Sequence, residues 1–139
     1  MRKLKAGMIG VAGFGGARRN LMRKTGLFDI VAGYDIRPEA CKKFAEAESA
    51  QVVENYEALL DVPGLEVMVI STGAKFHAEQ TLAALEKGLH VFVEKPLCAT
   101  PEEMHALMDA QKRTGLVVGV GHNDHSSCPI SLRFKEMID

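Results

Sequence analysis

An open α/β fold, a doubly wound and mostly parallel sheet with helices on both faces, is predicted by three features of this 139-residue sequence. Apolar stretches of strand length alternate with amphipathic stretches of helix length, and such alternation produces parallel neighbours joined by helical crossovers. The first apolar run passes straight into a glycine-rich turn, Gly10-Val11-Ala12-Gly13-Phe14-Gly15-Gly16, and then into a segment of helical composition. Val67-Met68-Val69-Ile70 carries no polar residue at all, as a strand covered on both faces should.

In chain order, Leu4 to Val11 is the first strand and Gly15 to Thr25 the first helix. Leu21 and Met22 should point inward, with Arg18, Arg19, Arg23 and Lys24 mostly outward and Gly26 as the stop. Phe28 to Asp35 is the second strand, and Pro38 starts a helix whose Ala40, Phe44 and Ala47 share a face. Gln51-Val52-Val53 is a short third strand, followed by a helix from Asn55 to Leu60 and a turn at Asp61-Val62-Pro63-Gly64. Val67 to Ser71 is the fourth strand. Lys75 to Lys87 is a helix with Ala78, Leu82 and Leu85 inward, and His90 to Glu94 is the fifth strand. Thr100-Pro101-Glu102-Glu103 is a helix start: threonine caps, proline takes the first helical position, and Glu103 closes a capping box. Met104, Leu107, Met108 and Gln111 should line that helix's inner face, with Thr114-Gly115 at its end. Leu116 to Val120 is the sixth strand, and Pro129 to Ile138 reads as a last helix.

Apolar content of 47% with 25% charged residues is that of an ordinary soluble domain, and the length suffices for one core. A formal charge of -1 gives no bulk attraction to nucleic acid or an anionic membrane, so neither is expected as a partner. Cys41, Cys98 and Cys128 are odd in number, far apart and without a C-x-x-C pair. That argues against a disulfide framework or zinc cluster and for reduced thiols in a cytoplasmic protein. The apolar run after the basic start is short and broken by glycine, unlike a signal peptide or membrane span.

The glycine turn is what a pyrophosphate needs, because glycines permit close backbone approach and the following helix presents its free N–H groups. Two registers of G-x-G-x-x-G are open. In one, Gly10 and Gly15 take the outer positions with Ala12 in the middle; in the other, Gly13 and Gly15 fit and Arg18 replaces the third glycine. Asp35 ends the second strand 20 residues beyond Gly15, where such folds place the acid that bonds the adenosine ribose. Its charge would repel a 2′-phosphate and favours NAD; Arg37, Arg18 or Arg19 could reverse this and admit NADP. The other segments leaving carboxyl strand ends are Ser71-Thr72-Gly73-Ala74-Lys75-Phe76-His77, Glu94-Lys95-Pro96 and Gly121-His122-Asn123-Asp124-His125. His122, His125 and Cys128 have a spacing that suits zinc, but no fourth ligand stands out, and no metal site is assigned. His90 and His105 read as structural.

The run Ala84-Leu85-Glu86-Lys87-Gly88-Leu89-His90-Val91-Phe92-Val93-Glu94-Lys95-Pro96-Leu97 resembles the N-terminal domain of the glucose–fructose oxidoreductase, inositol dehydrogenase and MocA family (Gfo/Idh/MocA). Ile9 to Gly16, Val31 to Asp35, and Ser71-Thr72 with His77 share in the resemblance, which covers nearly the whole chain. It implies a Rossmann-type domain of an NAD(P)-dependent oxidoreductase that transfers hydride to or from a sugar, polyol or related substrate. It further implies that Gly10, Ala12, Gly13, Phe14, Gly15 and Gly16 hold the pyrophosphate and that Asp35, with Arg37 beside it, holds the ribose. Ser71, Thr72, Gly73 and His77 would line the dinucleotide, Glu94 and Lys95 would lie by the nicotinamide with Lys95 catalytic, and Asn123 would complete the site. Pro96 would follow a cis peptide bond.

The sequence departs from the family at Thr72-Gly73-Ala74, where threonine-proline-asparagine is common. It also contains no second domain, the part that in such enzymes shapes the sugar pocket and forms the homo-oligomer. The expected organisation is a Rossmann domain over residues 1–125 and a helix over 126–139 leading toward that domain, so this chain would bind cofactor without full catalysis. A non-catalytic dinucleotide sensor or interaction module on the same fold is the alternative.

Overall fold

Six strands, all parallel, form one sheet in the order β3-β2-β1-β4-β5-β6 in a computed structural model that describes residues 2–121. The elements run β1 (Leu4–Ile9), α1 (Phe14–Thr25), β2 (Phe28–Tyr34), α2 (Pro38–Glu48), β3 (Gln51–Val52) and α3 (Tyr56–Leu60). The second half continues with β4 (Val67–Ile70), a 3-10 turn (Ala74–Phe76), α4 (His77–Glu86), β5 (His90–Glu94), α5 (Pro101–Thr114) and β6 (Val118–Gly121). The doubly wound sheet expected from the alternation is therefore present. Its boundaries shift by a few residues: β1 ends at Ile9, α1 starts at Phe14, and a 3-10 turn takes the place of the first turn expected after Gly73. The expected helix over 129–138 and the domain boundary after residue 125 lie outside the described residues.

Strand alternation divides the interior into two layers. Met68 and Ile70 of β4 join Val91, Val93, Leu85 and Ala84 on the face covered by α3, α4 and α5. Val67 and Val69 face the other way and pack with Ala6, Met8, Met22 and Phe44 under α1 and α2. Glycines in the left-handed conformation stop α1 at Gly26 and α5 at Gly115. The capping box of α5 is complete: Glu103 N–H donates to Thr100 Oγ1 at 3.2 Å, and Thr100 N–H donates to Glu103 Oε2 at 3.3 Å.

Four expectations about helix faces are corrected. Leu21 is 51% exposed while Met22 is buried, because the inward line of α1 runs Gly15, Arg18/Arg19, Met22. Arg18 and Arg19 do not point into solvent: their guanidinium groups lie over Phe92 at 5.1 Å and over Phe44 at 5.5 Å. On α2 the inward place expected for Ala47 is taken by Glu48, whose carboxylate is neutralised by Arg19 and Arg23. On α5 the buried residues are Leu107 and Ala110, while Met104, Met108 and Gln111 are exposed.

Phe44 is fully buried beneath Gly33, where a Cβ would come within 2.5 Å of its ring. Urea unfolding followed by circular dichroism should show Phe44→Ala less stable by about 3–5 kcal/mol. Gly33→Ala should cost about 1–3 kcal/mol through overpacking of the same ring.

Candidate functional site

The strand order reverses between β1 and β4, and in open α/β sheets ligands bind outside the carboxyl ends at such a point. Gly10 N–H donates to Tyr34 O and Ser71 N–H donates to Ile9 O, both at 2.9 Å, tying the ends of β1, β2 and β4 together. Gly10 has a φ of +78°, and a Cβ there would fall on the Ser71 carbonyl; a Cβ on Gly15 would fall on the Gly10 carbonyl. The register Gly10-x-Ala12-x-x-Gly15 is thus the one whose outer glycines are sterically required. Gly13 precedes α1 at a φ of +57° with nothing within 4 Å of a Cβ position, so the backbone there borders open space. No side chain caps α1 and its first turn holds no acid, which leaves the helix dipole to an incoming anion.

Beside this turn lies a crevice of about 450 Å³ lined by Gly10, Asp35, Ile36, Arg37, Ser71, Thr72 and Gly73. Asn55, Tyr56, Phe76 and Gln80 line it as well, and sequence reasoning missed them. The rule about carboxyl strand ends applies equally to the segment leaving β3, which would have pointed to Asn55 and Tyr56. Arg37 grips Asp35 with both arms, Nε to Oδ1 at 3.0 Å and a terminal nitrogen to Oδ2 at 3.1 Å, and its backbone N–H adds a third bond at 3.1 Å. Burial alone would raise the Asp35 pKa. The bonds and charge of Arg37, with the Ala12 amide, outweigh burial and hold the carboxyl below its ordinary range.

Among the apolar side chains of the crevice wall, Thr72, Tyr56 and Gln80 supply polar groups that bond to one another. Thr72 donates its hydroxyl to Gln80 Oε1 at 2.6 Å, and Tyr56 donates its own to Gln80 O at 2.6 Å. Burial, with the charge of Glu57, pushes the Tyr56 pKa up, so this phenol stays a donor. Ser71 Oγ is buried without a hydrogen-bond partner among the described residues. A buried hydroxyl at the lip of a crevice is a group that a ligand would satisfy.

Beyond β5 the peptide between Lys95 and Pro96 is cis, as the resemblance implies, and Lys95 is exposed at the carboxyl end of the strand. Two neighbours depart from their expected places. Glu94 is 6% exposed and pairs with Arg18 of α1 rather than facing the crevice. His77 is 1% exposed, with both ring nitrogens against backbone carbonyls, so it offers no polar atom to a dinucleotide. Asn123, and with it His122, His125 and Cys128, lies outside the described residues. Among those described, no three His, Cys, Asp or Glu side chains cluster as metal ligands would, and no helix is long and apolar enough to cross a membrane.

A glycine turn under an uncapped helix, an acid ending β2 and an unpartnered serine at the switch point together fit a dinucleotide, and the fold and site define a Rossmann nucleotide-binding domain. The sequence profile of the Gfo/Idh/MocA oxidoreductases, described as an oxidoreductase family with an NAD-binding Rossmann fold, matches residues 4–122, and the chain belongs to that family. It is 39% identical over 136 residues to the 1-carboxy-3-chloro-3,4-dihydroxycyclo hexa-1,5-diene dehydrogenase of Comamonas testosteroni, covering 94% of this chain and 34% of that protein. It is 30% identical over 139 residues to an inositol 2-dehydrogenase/D-chiro-inositol 3-dehydrogenase of Lactiplantibacillus plantarum, covering 97% of this chain and 39% of that one. The crystal structure of an NAD-binding protein from Listeria innocua matches with a TM-score of 0.87 at 29% identity, over 99% of this chain and 40% of that one. The chain thus spans 34–40% of the length of these relatives.

Because Asp35 is held below its ordinary value in the folded chain, its contribution to stability is complete above about pH 4. It is lost as the pH falls through the lowered value. Urea midpoints measured from pH 7 down to pH 2 should therefore fall less steeply on the acid side for Asp35→Asn than for the unaltered chain.

Proposed function

We propose that this chain is the cofactor domain of a dehydrogenase that moves a hydride between a nicotinamide and a secondary alcohol or ketone carbon on a sugar, polyol or similar ring. The observation that carries this is the placement of Lys95. It stands at the carboxyl end of β5, in the same row of strand ends that forms the nucleotide crevice at β1, β2 and β4. A dinucleotide whose adenosine end lies at Asp35 and whose diphosphate meets the glycine turn would extend along that row toward Lys95. Bound there, the nicotinamide would supply the hydride chemistry.

The chain's own residues have separable tasks in this scheme. Gly13 to Gly16 and the start of α1 receive the diphosphate charge. Asp35 accepts hydrogen bonds from the ribose hydroxyls, for which Arg37 has to share or release one carboxylate oxygen. Ser71 and Thr72 border the middle of the dinucleotide. The Lys95 ammonium bonds the substrate oxygen and steadies negative charge on it as the proton leaves or arrives. The named substrates of the two curated relatives, a dihydroxylated cyclohexadiene and the inositols, support a hydroxylated ring as the substrate class. The part of those relatives that this chain does not span would complete the substrate pocket and the subunit contacts.

Calorimetric titration should show NAD binding more tightly than NADP, because Asp35 repels a 2′-phosphate. Asp35→Ala should weaken NAD by about 10- to 100-fold and NADP far less. Ser71→Ala should change stability by no more than about 0.5 kcal/mol yet weaken NAD about fivefold, since the hydroxyl serves a ligand rather than the fold. In a protein that carries both domains, oxidation of inositols should lose about 10²–10⁴ in turnover with Lys95→Met. NADP bound as tightly as NAD, or turnover indifferent to Lys95, would remove the basis for these roles.

A further inference from the structure

His77 opens α4 from within the wall between two strand-end loops, and its 1% exposure sets it apart from the crevice surface. Its Nδ1 lies 2.7 Å from Pro96 O and its Nε2 lies 3.0 Å from Thr72 O. Both partners are main-chain carbonyls, which only accept, so each contact is a hydrogen bond only where the facing ring nitrogen carries a proton to donate. Thr72 belongs to the loop that leaves β4 and borders the crevice; Pro96 follows Lys95 on the loop that leaves β5. Thr72 is held a second time, through its hydroxyl to Gln80 one turn further along α4. A histidine that served only its own helix would bond within α4 or cap it. This one reaches 19 residues forward and 5 back, to the loops that leave two different strands.

We propose that His77 is a positioning residue for Lys95. Its ring fixes the spacing between the β4 loop, against which the cofactor lies, and the β5 loop, from which the lysine projects. The nicotinamide half of the dinucleotide then meets the ammonium in one geometry. The adenosine half is held chiefly at Asp35, Arg37 and the glycine turn, which make no hydrogen bond to either loop carbonyl among the described residues, and meets the clamped loop only along the Thr72 side of the crevice. Shifts of about 1 Å between reacting groups are known to cost two orders of magnitude in rate, so a clamp of this kind has a function to protect.

Because the cofactor-binding role proposed above underlies this assignment, the test separates the two halves of the ligand. ADP-ribose, which lacks the nicotinamide, and NADH are titrated against the chain, His77→Leu, His77→Gln, Lys95→Met and the His77→Leu/Lys95→Met double variant. His77→Leu should lose about tenfold in NADH affinity and no more than about twofold in ADP-ribose affinity. His77→Gln, whose amide nitrogen carries two N–H groups, should recover most of that loss. Lys95→Met should weaken NADH in the parent chain but have no further effect in the His77→Leu background, the non-additivity expected of groups that act together. If His77→Leu fails to fold, His77→Asn, whose shorter side chain reaches one carbonyl at most, should show the same selective loss. Equal weakening of both ligands, unchanged NADH affinity, or additive effects of the two substitutions would overturn the proposal. An unaltered chain that binds neither ligand would instead overturn the cofactor-binding role and this assignment with it.

Discussion

The structure depends on one backbone crossing. At the point where β1 ends, Gly10 lies against the Ser71 carbonyl of the next strand end, and Gly15 lies against Gly10 itself. Any side chain at either place would push β4 or α1 away. The tight crossing brings β2, β1 and β4 to a common level, aims α1 at the open side, and leaves the crevice beside it. The interior chemistry follows from that geometry: the sheet's two faces are filled by alternate residues of the same strands, so neither layer can be altered without the other noticing.

The carboxylates whose side chains are buried near the site are each paired with arginine. Asp35 is satisfied by Arg37, Glu94 by Arg18, and Glu48 by Arg19 and Arg23. These pairs sit where burial would otherwise penalise a carboxylate. The pair at Asp35 differs from the other two in its place: it lines the crevice, and Arg37 is more than half exposed. An exposed cation over a buried anion is an arrangement that an incoming ribose can rearrange at modest cost, whereas the pairs beneath α1 and α2 are part of the packing.

Much of this was legible in the sequence, because its strongest signals are covalent or periodic. Strand-length apolar runs, proline and threonine at the start of α5, and glycines at helix ends have local physical causes, and those elements appear where expected. The acid after β2, the glycine turn and the cis bond before Pro96 were visible because spacing and resemblance specify them. What was not legible depended on three-dimensional rotation. Nothing in the letters says that Met22 faces in while Leu21 faces out, or that Glu48 rather than Ala47 completes the inner line of α2. His77 shows the limit most clearly. A polar residue near a strand end reads as a ligand contact, and only its depth and its two carbonyl neighbours reveal a partner for the backbone instead.

Arg18 occupies the place that a regular nucleotide-binding turn, counted from Gly13, would give to a third glycine. Its guanidinium lies over Phe92 and meets Glu94, while the glycine at 121 leaves room for both. Motif regularity and fitness therefore part ways in this chain. Swapping in a tidier loop from a cousin would strip Glu94 of that guanidinium and leave a hollow over Phe92. Transplanting the turn would succeed only if the fifth and sixth strands travelled with it.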